Sequence, residues 1–249
     1  NYLQRMAVWW RVGLLAPTYK QPQQMIECRT FKICTKPTCT IQRVSHSTLI
    51  KDNMKYMGSK ARYAKEILPI ILKNRKPEQW YIEPFAGGMN MIDKVQGNRI
   101  ANDISSPLIA MWQALVYDNW QPPVFVTKEH YKEVRELKTK YDMHYLGWVG
   151  FACSFSGDFF NGGCAGIVNT KDGKRNYQDE ARRNIQKQIP KLKGVKFSNT
   201  SYDKIEIPKD SIVYCDPPYE ATTKYVGRET FNHILFWDWC RELSKQGHS

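Results

Sequence analysis

Residues 211–219 read SIVYCDPPY: an apolar run, then an acid, two prolines and a tyrosine. Ser211 to Cys215 is apolar and partly β-branched over a length that suits a buried strand better than a helix. Asp216 closes it. Pro217 and Pro218 lack backbone N–H groups, so neither continues a ladder, and their fixed φ stiffens the turn that leaves the strand. An acid held at the carboxyl end of a sheet strand stands where open parallel sheets bind ligands. Tyr219 adds a stacking face. Acid and ring together suit a flat base that carries an exocyclic amino group.

Outward from this strand the chain alternates. Lys60 to Lys73 has apolar residues at 64, 67, 68, 71 and 72, a helical face. Trp80 to Glu83 is a short strand, Pro84 to Gly88 a tight turn, and a helix is expected from about Asn90. Arg99 to Asn102 is a second strand ending on Asp103, and residues 106 to 117 carry Leu108, Ile109, Trp112 and Leu115 on one helical side. Val195 to Asn199 supplies another strand. Such alternation predicts an α/β fold with a parallel sheet covered on both faces. Residues 120 to 190 break the rhythm with glycines at 157, 162, 163, 166 and 173, aromatics at 155, 159 and 160, and the basic cluster Lys171, Lys174, Arg175, Arg182 and Arg183. They read as an insertion.

Composition fits a globular chain of 249 residues, with 42% hydrophobic and 24% charged residues. The formal charge is +13 and divides unevenly: residues 1 to 53 hold eight Lys/Arg against two acids, and residues 54 to 249 hold 29 against 22. A basic surface concentrates phosphates and gains from counterion release, which favours a polyanionic partner. Residues 1 to 53 show no useful helical period and read as an extension of uncertain order before a domain that starts at Met54. The seven cysteines include no C-x-x-C pair, and their odd count favours a reducing cytoplasm. Cys28, Cys34, Cys39 and His46, with five, four and six intervening residues, match no familiar zinc knuckle, so no metal is expected. The apolar stretch from Met6 to Pro17 is interrupted by Arg11 and too short to span a bilayer.

In the turn after the first strand, glycines let the backbone approach a ligand, and an acid ending the next strand, here Asp103, can bind the two hydroxyls of a ribose. The EPFAGG run lacks the full G-x-G-x-x-G spacing, so a dinucleotide is not favoured.

KYMGSK (55–60), YIEPFAGGMNMI (81–92), ANDIS (101–105) and VYCDPPY (213–219), in that order, resemble the Dam-type, D12-class DNA adenine N6-methyltransferases, especially their phage members. The resemblance runs from Met54 to Ser249. It implies a Rossmann-like methyltransferase sheet, a monomer that takes S-adenosyl-L-methionine, and double-stranded DNA as partner with the target adenine flipped out of the duplex. Carried onto this chain, it assigns Asp216, Pro217, Pro218 and Tyr219 as the catalytic tetrapeptide. Tyr56, Lys60, Phe85, Ala86, Gly87, Asp103, Ser201, Tyr202 and Asp216 would border the cofactor. Lys55, with Lys171, Lys174 and Arg175, would meet DNA, and residues 120 to 190 would form the target-recognition insertion. The resemblance also implies a further strand and a closing hairpin after Ser249; their absence makes the alternative a catalytically inactive, DNA-binding remnant.

Overall fold

The computed structural model describes residues 53–171, 173–218 and 231–249. The candidate cysteine ligands near the amino terminus, the extension up to residue 52 and Tyr219 lie outside them.

Among the described residues four parallel strands form a sheet: β1 (Tyr81–Glu83), β2 (Arg99–Asn102), β5 (Val195–Ser198) and β6 (Ile212–Val213), in the order β5-β2-β1-β6. An exposed antiparallel hairpin, β3 (Ile167–Thr170) and β4 (Gly173–Asn176), stands apart from it. The register sets Tyr81 level with both Arg99 and Ile212, and Arg99 level with Val195, so all four strands run out at the same edge. Side chains alternate across this sheet with period two. Tyr81, Ala101, Val195 and Ile212 enter the main core, and Ile82, Ile100 and Val213 enter a smaller cluster on the opposite face. Both faces are covered, which is why β1 and β2 are buried throughout. Burying a side chain such as Ile82 contributes about 1.5 to 3 kcal/mol.

The helices are α1 (Ala64–Ile71), α2 (Ser106–Val116), α3 (Lys128–Glu136), α4 (Met143–Gly147), α5 (Tyr177–Leu192) and α6 (His233–Lys245). Pro107 opens α2, where its missing N–H costs nothing. Asn232 caps α6 by accepting from Ile234 and Leu235 N–H, both at 3.1 Å. The π-helical turn Trp148–Ala152 and α5 send Trp148, Val149, Phe151, Ala181, Ile185 and Leu192 into the same core as α2. The expected insertion is therefore woven into the domain. Its last part, α5, is the crossover helix that leads into β5.

The helix expected from Asn90 does not form. Only a short 3₁₀ turn, Ile92–Lys94, follows β1. Met89 sits at φ 59° and Val95 is extended, and the Asn90 amide donates to Met54 O at 3.0 Å and Ser59 Oγ at 2.7 Å. Side-chain bonds to distant backbone here replace a helix start.

β6 is shorter than the expected strand, but Tyr214 N still donates to Ile82 O at 2.8 Å. On its other side Ser249 N donates to Ser211 O at 3.1 Å and Ser249 O accepts from Val213 N at 2.8 Å, the slanted pattern of a parallel pair. Among the described residues no helix is long and apolar enough to cross a membrane.

Candidate active site

The chain steps from β1 outward to β2 and β5, then returns to β6 on the far side of β1. The strand order thus reverses between β1 and β6, and a crevice beyond the carboxyl ends of strands at such a point is where open α/β sheets take ligands. Pro84 to Gly87 leaves β1 at this edge, Asp103 leaves β2, Asn199 to Tyr202 leaves β5 and Asp216 leaves β6.

Asn102 knits these exits together. Fully buried, it donates to Pro84 O and Thr200 O, both at 3.0 Å, and accepts from Thr200 N at 3.1 Å. Asp103 accepts from Gly87 N at 3.0 Å through Oδ2 and from Ser105 N at 2.9 Å through Oδ1. A carboxylate offers about four acceptor positions, so these backbone bonds orient it without exhausting it. Beside it, Phe85 packs on Tyr202 with ring centroids 5.4 Å apart, and Phe236 from α6 meets both edge-on at 5.7 and 5.6 Å. An oriented carboxylate next to an aromatic wall suits a ribose and its flat base. Ala86 is buried in the turn, and its N–H donates to Asn102 O at 2.8 Å. Ser201 precedes the 3₁₀ turn of Tyr202 and bonds Asp203 through its hydroxyl.

The 55–60 segment lies across the glycine turn. A side chain on Gly87 would meet the Tyr56 ring at 2.6 Å, and one on Gly88 would meet Tyr56 Cβ at 2.7 Å. The two glycines make room for Tyr56, a use their spacing alone did not indicate. Gln188 of α5 fixes this arrangement: its amide donates to Gly88 O and Met89 O at 3.1 Å and accepts from Met54 N at 3.0 Å. Sequence reasoning missed Gln188 because a glutamine on a largely polar helix looks solvated.

Lys60 Nζ reaches Asp216 Oδ2 at 2.7 Å and also donates to Gly58 O at 2.9 Å. The segment expected beside the cofactor is thereby joined to the acid of the tetrapeptide. Cys215, one residue earlier, packs on the smaller cluster; the Cys240 thiol beside it and burial push its own thiol well up. A thiol held protonated is a poor nucleophile.

Glu83, the last residue of β1, was not singled out in the sequence. It is buried and accepts from the Tyr81 hydroxyl at 2.9 Å. Burial pushes its carboxyl from 4.5 up to about 8, Asp93 and Asp216 adding to the rise while Tyr81 and Lys94 oppose it. The folded state therefore keeps a proton that the unfolded chain has already lost. This stabilisation is complete below about pH 4.5 and disappears as pH rises through about 8. Relative to Glu83→Gln, which cannot ionise, the protein should lose stability progressively between pH 5 and 8.5, by on the order of a few kcal/mol in all. Urea midpoints of the two proteins across that range test it; parallel curves would mean that Glu83 titrates normally.

Lys55 and Arg175 meet at Glu180, whereas Lys171 and Lys174 are exposed on the hairpin. Arg182 and Arg183 pair with Asp179 at 3.0 and 2.8 Å.

The family of D12 class N6 adenine-specific DNA methyltransferases matches residues 56–146 and 158–248, taking in all four strand exits. The chain belongs to this family. It is also similar to the modification methylase StsI of Streptococcus sanguinis, 24% identical over 215 residues, which are 77% of this chain and 32% of that protein. It therefore spans about a third of that relative's length.

Proposed function

We propose that this chain transfers a methyl group from S-adenosyl-L-methionine to N6 of adenine in double-stranded DNA. The observation that carries the reading is the joining of Asp216 to the 55–60 segment at the switch between β1 and β6, with Asp103 held on the glycine turn that leaves β1. Asp103 would take the ribose hydroxyls, with Phe85, Ala86, Gly87, Ser201 and Tyr202 bordering the rest of the cofactor. When bound, that cofactor supplies a methyl group on a positively charged sulfur.

The exocyclic nitrogen of adenine is a poor nucleophile because its lone pair is shared with the ring. Asp216 would accept one of its N–H groups and the carbonyl of Pro217 the other, holding the pair toward the methyl carbon. A carboxylate's several acceptor positions let Asp216 keep its Lys60 contact while doing so. Pro218 stiffens the turn, and Tyr219 would stack on the flipped base. The displacement would be direct and need mainly positioning: the N6–carbon bond forms as the carbon–sulfur bond breaks, the sulfur leaves as a neutral thioether, and the surplus N6 proton is lost to solvent. Residues 54 to 249 would act as the methyltransferase domain, with 120 to 190 choosing the target sequence and Lys55, Lys171, Lys174 and Arg175 facing the duplex.

Incubation with labelled cofactor and adenine-containing duplexes should place the label in N6-methyladenine. Label in cytosine or in protein, or no cofactor binding by calorimetry, would overturn the reading; the latter with intact DNA binding would identify an inactive remnant.

A further inference from the structure

Lys55 Nζ lies 2.8 Å from Glu180 Oε1, and Arg175 reaches Glu180 Oε2 through Nε at 2.7 Å and Nη2 at 2.6 Å. One carboxylate thus holds two cations from two distant segments. Both cations also sit over one face-forming ring: Lys55 Nζ is 4.6 Å and Arg175 Cζ 4.8 Å from the centroid of Tyr177, whose edge is met by the half-exposed Phe155 at 6.0 Å. The side chains are 27%, 19% and 50% exposed for Lys55, Glu180 and Arg175, so the group lies at the surface and can be reached from outside. Burial alone would raise the Glu180 carboxyl, but the two ion pairs outweigh it and hold the group below its ordinary value.

A phosphodiester presents the same two-oxygen anion to the same pair of donors, since a guanidinium fork and an ammonium recognise carboxylate and phosphate alike. Glu180 does not depend on these cations for its place. It stands in the first turn of α5, where a negative charge is favoured by the helix dipole, and Asn176 caps that turn by accepting from Gln178 and Asp179 N–H at 3.1 Å.

Resting on the proposed DNA substrate, we infer that Glu180 is an internal competitor for the DNA backbone, occupying Lys55 and Arg175 until a phosphate displaces it. It lowers affinity for any duplex whose other contacts are weak, and so acts as a specificity-determining residue. Displacement leaves both cations on Tyr177, ready to take the phosphate.

The test is a salt titration of binding to a duplex that lacks the target sequence, with the wild-type chain and Glu180→Gln. The variant should bind roughly tenfold more tightly at low salt, and its log affinity should fall more steeply with log salt, by about one to two units of slope, as expected for two more phosphate contacts. Asp179→Asn removes an equal charge from the same turn but one that serves Arg182 and Arg183; it should leave affinity nearly unchanged. Equal gains from both variants, a gain that survives Lys55→Gln with Arg175→Gln, or weaker binding by Glu180→Gln would each overturn the inference. Absence of wild-type binding would instead strike the DNA reading on which it rests.

Discussion

Replacing Asp216 by alanine is expected to slow single-turnover methyl transfer about 100- to 1000-fold or more, the loss of about 3 kcal/mol or more that follows removal of a preorganised polar contact to the reacting group. DNA affinity should change little. The substitution leaves the turn prolines, the oriented Asp103 and the aromatic wall in place, so ground-state binding has no reason to fail. One side effect has to be separated from the chemistry. Lys60, whose side chain is 11% exposed, loses its 2.7 Å contact with Asp216 and keeps its 2.9 Å bond to Gly58 O. Such a loss in a part-buried pair costs about 1 to 2 kcal/mol of stability, so rates must be compared under conditions where both proteins are folded.

Asp216→Asn refines the result. It can still accept one hydrogen bond and should retain a trace of activity, while its neutral amide would withdraw the charge that the proposed mechanism uses to localise the adenine lone pair. Single-turnover rates and a DNA-binding titration on wild type, Ala and Asn decide the matter. Wild-type transfer by Asp216→Ala would reduce DPPY to a stiff end of a strand. Equal loss of DNA binding would assign Asp216 to holding the site together through Lys60.

The strands were legible because their signal is local. β2 falls on the expected residues, β1 and β5 within one of them, and the acids beyond β2 and β6, Asp103 and Asp216, follow from where the apolar runs stop. What was not legible depends on long-range polar contacts. Gln178 and Gln188 are both buried on α5, a helix whose composition reads as solvated. Their partners lie far away: Gln178 Nε2 donates to Val126 O at 2.8 Å and Ala165 O at 2.6 Å, and Gln188 holds the glycine turn. No period along the chain encodes such bonds. For the same reason the sequence shows Lys55 and Arg175 as separate charges, and Glu180, which joins them, as one acid on a helix face. Glu83 was hidden differently: its burial comes from being sandwiched between β2 and β6, which only the strand order reveals.

Gly157→Ala should destabilise the domain by on the order of 3 kcal/mol, because two separate penalties meet at this position. Its φ is +67°, a conformation that costs a side-chain-bearing residue about 1 to 2 kcal/mol. A Cβ there would also lie 2.0 Å from the carbonyl oxygen of Lys55 and 3.0 Å from Tyr56 N, both backbone atoms. That backbone cannot step aside freely. Met54 is tied to Gln188 and Asn90, and the Tyr56 ring fills the space over Gly87 and Gly88. Gly163→Ala is the matched control: its φ is +72°, but nothing stands within 4 Å of the added atom. It should cost only the backbone term, about 1 to 2 kcal/mol. Urea midpoints of the two variants measure the difference, which belongs to the Lys55 contact. Equal losses would mean that the 55–60 segment moves away at little cost. In that case the Lys60–Asp216 pair should loosen with it, and methyl transfer by Gly157→Ala should fall even where the protein remains folded, since the strut that links the glycine turn to the β6 acid would have given way.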